Sequence, residues 1–162
     1  MGHSDRLFGS ELSLTGDYRE GGRSHAEDQE LDGIIAEFTE RIRLDPANAW
    51  AYHRRGNAYA GKCMYEQAIS DYAKAIRLYP ENPDVFSQLG RIWLNNRDYG
   101  RAIADFTVAI RLDVQSAESY LGRGLAYCGV NDLKSGIADF TEAIRLDPRC
   151  ARARYNRGAS YT

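Results

Sequence analysis

The chain has 162 residues, 43% of them hydrophobic and 27% charged, with a formal net charge of −2. These are values of a soluble folded protein. They exclude the strongly basic character of a general nucleic-acid binder, and no apolar run approaches the roughly 18 residues of a membrane span. Cys63, Cys128 and Cys150 form no CxxC pair and leave an odd count. Neither a disulfide framework nor a zinc site is therefore expected, and free thiols in the cytoplasm are the default. His3, His25 and His53 show no HExxH spacing, so no metal or cofactor is expected.

Met1–Ser10 hold no apolar core followed by small residues, so no secretory signal is expected there, and Arg6 stands where a myristoylation motif needs Ser or Thr. Gly16, Gly21 and Gly22 disfavour a helix by about 1 kcal/mol each, so residues 1–23 are expected to be a flexible N-terminal segment. Residues 24–47 read as one helix. Ser24 and Glu27 fit a capping box, which lets the helix begin at His25, and Ile34, Ile35, Phe38 and Ile42 give it one apolar stripe.

From there a period governs the chain. Gly56, Gly90, Gly124 and Gly158 fall 34 residues apart, and Pro46, Pro80 and Pro148 lie on the same spacing, with Val114 at the skipped point. Residues 49–82, 83–116 and 117–150 form three complete units, and 151–162 begin another. In the first unit Tyr52, Gly56 and Tyr59 recur at helical steps. Gly61 to Met64 break the pattern, and Ala68, Tyr72, Ala75 and Ile76 make a second helix. At Asp45-Pro46 and Asp147-Pro148 an Asp-Pro pair ends the second helix, because a residue before proline leaves the α region. Small residues in the Gly56 and Ala68 columns allow the two helices to approach closely. One hairpin cannot bury its apolar face alone, so neighbouring hairpins must stack.

An aromatic, a small residue, Tyr, Ala, an aromatic, Ala and Pro on this period resemble the tetratricopeptide repeat family. Tyr52, Gly56, Tyr59, Ala68, Tyr72, Ala75 and Pro80 carry the resemblance in the first unit. Phe86, Gly90, Trp93, Ala102, Phe106 and Ala109 carry it in the second, and Tyr120, Gly124, Tyr127, Gly136, Phe140, Ala143 and Pro148 in the third. It covers about residues 31–162 and implies an all-α, right-handed superhelical solenoid of stacked antiparallel helix hairpins. Residues 24–47 are then the second helix of a degenerate first repeat, and 151–162 the first helix of an incomplete or capping repeat.

The resemblance also implies a peptide-binding groove lined by the first helices. It falls on Trp50, His53, Arg54 and Asn57; then Asp84, Ser87, Gln88, Arg91, Leu94 and Asn95; then Glu118, Leu121, Gly122, Leu125 and Cys128; and last Arg152, Tyr155 and Asn156. Their mixture of Trp, Tyr, Leu, Arg and Asn is closer to an interface core than to a solvated face. The expected function is a scaffold binding a peptide segment of a partner protein. A chaperone for a secreted or unstable partner and a self-assembling module are the alternatives. An enzyme is not expected, since the repeat occupies nearly the whole chain. No nucleic acid or membrane partner is expected, and the half-repeats at both ends suggest weak homo-oligomers. Family members that clamp the acidic tail of heat-shock chaperones present Lys and Asn, then Asn, then Lys and Arg. Here those places hold His53 and Asn57, then Gln88, then Glu118 and Gly122, so such a clamp is not expected.

Two columns depart from the family. Arg55, Arg123 and Arg157 replace a usual Leu, kept at Leu89, and each second helix carries an acid: Glu37, Asp71, Asp105, Asp139. The acids are expected to meet the arginines, most simply across to the next unit, as Glu37–Arg55, Asp105–Arg123 and Asp139–Arg157; pairing within a unit gives only two pairs.

Overall fold

The computed structural model describes residues 24–161, so the expectation for residues 1–23 lies outside the described residues. Eight helices are described: α1 (His25–Leu44), α2 (Ala49–Gly61), α3 (Tyr65–Leu78), α4 (Pro83–Asn95), α5 (Tyr99–Leu112), α6 (Ala117–Gly129), α7 (Leu133–Leu146) and α8 (Ala151–Ala159). The fold is all-α. The chain divides into two compact units, whose described parts are residues 24–85 and 86–161.

Local chemistry sets the helix ends. Ser24 Oγ accepts from Glu27 N at 3.2 Å while Glu27 Oε2 accepts from Ser24 N at 2.8 Å, closing the capping box that starts α1. Asn48, Asp98, Ser116 and Asp132 cap α2, α5, α6 and α7 by accepting from the backbone three residues on. Between the helices of a hairpin the chain reverses through a left-handed residue: Cys63 (φ 58°), Arg97 (φ 59°) and Asn131 (φ 64°). The hydrogen bonds match a Schellman closure, as in Cys63 N to Ala60 O at 2.9 Å and Met64 N to Tyr59 O at 2.9 Å. The glycines at the sequence breaks are not the left-handed residues. A Cβ on Gly129 would lie 2.5 Å from the Tyr99 ring, so this glycine serves close helix approach.

In the unit 24–85, α2 and α3 form a hairpin and α1 packs against α2. A Cβ on Gly56 would meet the Tyr72 ring at 2.7 Å, and Tyr72 is fully buried. The unit 86–161 repeats the arrangement. Gly90 and Gly122 bracket the Phe106 ring, which a Cβ added to either would meet at 3.0 and 2.3 Å, and a Cβ on Gly124 would lie 2.7 Å from Phe140. Leu94, Ala102, Phe106, Leu121, Leu125, Cys128, Phe140 and Ala153 form its core. At Gly158 on α8 a Cβ would meet nothing within 4 Å.

The cross-unit ion pairs expected between Arg55 and Glu37, and between Arg123 and Asp105, are not formed. Each arginine turns within its own hairpin and grips the acid 16 residues on. Arg55 Nε and Nη2 donate to Asp71 at 2.7 and 2.7 Å, and Arg123 does the same to Asp139 at 2.8 and 2.8 Å. The third nitrogen of each fork reaches back to a threonine, Arg55 to Thr39 at 3.1 Å and Arg123 to Thr107 at 3.2 Å. Glu37 pairs instead with Arg41 at 2.7 Å, and Arg157 donates to Thr141 at 3.4 Å. The fork of a guanidinium suits a bidentate bond to one carboxylate, and within the hairpin both partners are already held by the crossing helices.

Candidate functional site

The first helices of the hairpins are α2, α4, α6 and α8, and the expected groove residues fall into two sets, one in each unit. In the unit 24–85, Trp50 sits at the start of α2 with 52% of its surface exposed. Its ring meets Phe38 edge-on, centroids 5.1 Å apart. Arg54, one turn on, is exposed. His53 is buried, contrary to a role as a groove contact. The Tyr72 hydroxyl donates to Asn57 Oδ1 at 2.8 Å, which turns the Asn57 amide nitrogen toward His53 Nε2 at 3.3 Å. Asn82 lies 3.5 Å from Nδ1. Burial pulls the His53 pKa below its ordinary value; Asp84 opposes this and Arg54 adds to it. This histidine is a neutral member of a polar network.

In the unit 86–161, Arg91 Nη1 donates to Glu118 Oε1 at 2.9 Å; the Arg91 side chain is mostly covered and Glu118 mostly exposed. Arg152 is half-buried, and burial pulls its pKa below the usual guanidinium value, with Arg91 acting in the same direction. Tyr155 is 66% exposed. Asn156 is buried and donates to Arg152 O at 2.8 Å. Leu94, Leu121 and Leu125, expected to line the groove, are buried in the core instead, as is Cys128. The helix face is narrower than the column count suggests, because the positions flanking the glycines also turn inward against the neighbouring hairpin. Gly122 is likewise sealed by Phe106. What remains within reach of solvent is Trp50, Arg54, Asn57 and Asp84 in one unit, and Ser87, Gln88, Arg91, Asn95, Glu118, Arg152 and Tyr155 in the other.

Two features escape a reading of the columns. Arg41 of α1 lies over the Phe38 and Trp50 rings, at 5.2 and 5.6 Å from their centroids. Its signal was present, since Ala75, Ala109 and Ala143 occupy the same column. Asp105, whose hairpin has Leu89 in the arginine column, accepts from the Trp93 indole nitrogen at 2.9 Å. Burial pushes its pKa up to about 6, against the opposing effects of that hydrogen bond and of Arg101. Arg101 stacks over the Trp93 ring at 3.9 Å. Among the described residues no three His, Cys, Asp or Glu side chains converge as a metal site, and no helix is long and apolar enough to cross a membrane.

The tetratricopeptide repeat family profile matches residues 49–82 and residues 121–161. No curated protein matches the chain. Among solved structures, MamA is similar with a TM-score of 0.78 and 23% identity, over 89% of this chain and 84% of that one. YrrB, described as a TPR protein with an unusual peptide-binding site, gives a TM-score of 0.72 and 29% identity over 84% of this chain and 70% of its own. The second TPR domain of human RPAP3, in complex with an HSP70 peptide, gives 0.67 and 25% identity over 70% of this chain and 95% of that domain.

Proposed function

Because this chain belongs to the tetratricopeptide repeat family, whose members are generally non-catalytic protein-binding modules, we propose that it is a scaffold that holds a peptide segment of a partner protein against its first helices. The observation that carries this reading is where the large side chains are left. The second helices bury their aromatics wholly, as Tyr72, Phe106 and Phe140. The first helices leave Trp50 and Tyr155 more than half exposed, beside Arg54 and the Arg91–Glu118–Arg152 cluster. Aromatic and arginine side chains dominate binding at interfaces, and a solvated face has no use for them. Peptide binding by YrrB and by the RPAP3 domain supports the same reading. The partner is not the acidic tail that a carboxylate clamp takes. His53 is sealed in its network, and the exposed Glu118 repels a terminal carboxylate. Three thiols outside any disulfide suit a reducing compartment such as the cytoplasm.

Peptides selected from a displayed random library test the reading. Their affinity should fall about tenfold or more with Tyr155→Ala or Trp50→Ala, while the second-helix pair Lys74→Ala with Arg77→Ala leaves it unchanged. The reverse pattern would move the functional face to the second helices.

A further inference from the structure

The chemistry of the partner segment follows from one patch in the unit 24–85. Trp50 exposes half its indole although Phe38 packs against it. Two guanidinium groups attend the same ring, Arg41 at 5.6 Å and Arg54 at 5.8 Å from its centroid, and both lie within reach of Phe38 as well, at 5.2 and 5.9 Å. Such distances suit cation–π attraction. Arg41 is out of pattern: the repeats put Ala75, Ala109 and Ala143 in its column, each buried. A long cation thus lies where the other hairpins have a methyl group. Glu37 holds one end of it at 2.7 Å. Arg54 is exposed and enters no ion pair among the described residues.

We propose that Trp50, Arg41 and Arg54 form a pocket for an internal acidic peptide segment in which a carboxylate stands next to an aromatic side chain. The proposal rests on the protein-binding reading above. Planar guanidinium forks take a carboxylate edge-on, with direction as well as charge. The exposed indole takes the neighbouring apolar side chain, and the rings hold the forks in place before the peptide arrives. Two cations against Glu37 leave the patch positive. The net charge of −2 over the chain disfavours a long polyanion such as nucleic acid, whereas a short acidic segment needs only the local pair.

Fluorescence anisotropy of labelled octapeptides tests this. The probes are one peptide with a Glu-Asp-Phe-Glu core and its twin with Gln-Asn-Phe-Gln, and short oligothymidylate serves as competitor. The acidic probe should bind the native chain, and Arg41→Ala with Arg54→Ala should weaken it about tenfold or more. Arg54→Glu alone, at an exposed position, should abolish binding and covers the case of a poorly folded double variant. Arg43→Ala, on the same helix but paired with Glu40, should change nothing. Absence of binding, equal binding of the neutral twin, or unchanged binding by both arginine variants overturns the proposal, and so does displacement by oligothymidylate. Library-selected peptides that respond to Tyr155→Ala but ignore Trp50 and the two arginines overturn this pocket while the scaffold reading stands. A library that yields no binder removes both.

Discussion

A carboxylate that has lost its arginine shows what the other two arginines do. Asp71 and Asp139 are buried, and each lies in a two-pronged guanidinium grip. Asp105 has Leu89 in place of that arginine and keeps one indole hydrogen bond, and burial pushes its pKa up to about 6. The consequence for stability has a definite sign. Between the ordinary aspartate value of 3.8 and about 6, the folded chain keeps a proton that the unfolded chain has released. The contribution of this one group is therefore greatest below about pH 4, falls as pH rises toward about 6, and is level above. The full shift corresponds to about 3 kcal/mol, and solvent screening at this part-exposed site leaves roughly half of it. Asp105→Asn should accordingly raise stability by about 1–2 kcal/mol at neutral pH and by nothing near pH 4, measured by urea melts across the range. Arg123→Leu should convert Asp139 into a second such group. A loss of about 3 kcal/mol or more at neutral pH, partly recovered on acidification, is expected from the same melts.

Equivalent positions in successive hairpins differ in what surrounds them, and substitution should expose the difference. Gly56→Ala and Gly124→Ala drive a methyl group into the rings of Tyr72 and Phe140, and overpacking of this kind costs about 1–3 kcal/mol. Gly158→Ala meets open space on α8, so helix propensity alone acts and stability should rise by a few tenths to about 1 kcal/mol. Equal losses at all three would show that the close approach is not what selects glycine. The turns make a parallel case. Arg97 is exposed and holds a left-handed φ of 59°. Arg97→Gly should stabilise the chain by about 0.5–1 kcal/mol through relief of that conformation, read as a shift in thermal midpoint. The hairpins themselves were legible in the sequence, because period, small-residue columns and aromatic columns all depend on helix–helix contact. The left-handed positions were not: Cys63, Arg97 and Asn131 share no residue type, since the hydrogen bonds across the turn impose the conformation.

For the molecule as a whole, side-chain direction was harder to read than repeat architecture. Column counting assigned every first-helix residue outside the signature to a groove. Burial removes His53, Leu94, Leu121, Leu125 and Asn156 from the reachable set, because the helices within each unit close over more of one another than the signature columns record. The ion pairs were misdirected for a related reason. Sequence spacing left the pairing between units and the pairing within a unit both open, and the crossing of two helices decided it. A correlated change did hold the missing clue. The threonine column reads Thr39, Ala73, Thr107, Thr141 and the arginine column one repeat on reads Arg55, Leu89, Arg123, Arg157, so the two are lost together. Just past the end of α8, Tyr161 is 70% exposed, and the Gly158 side of the helix is open. Exposed apolar surface of this kind usually marks a contact, so sedimentation velocity at rising protein concentration should reveal a heavier species. A single monomer boundary throughout would show that the α8 face stays solvated. Finally, the chain's two tryptophans are divided evenly: Trp50 lies in the unit 24–85 and Trp93 in the unit 86–161. One is half in water and the other lies beneath a guanidinium and bonded to a carboxylate, so their emission spectra should differ without any label. Trp50→Phe and Trp93→Phe each leave one reporter, and denaturation curves from the pair would tell whether the two units melt as one cooperative body or in sequence.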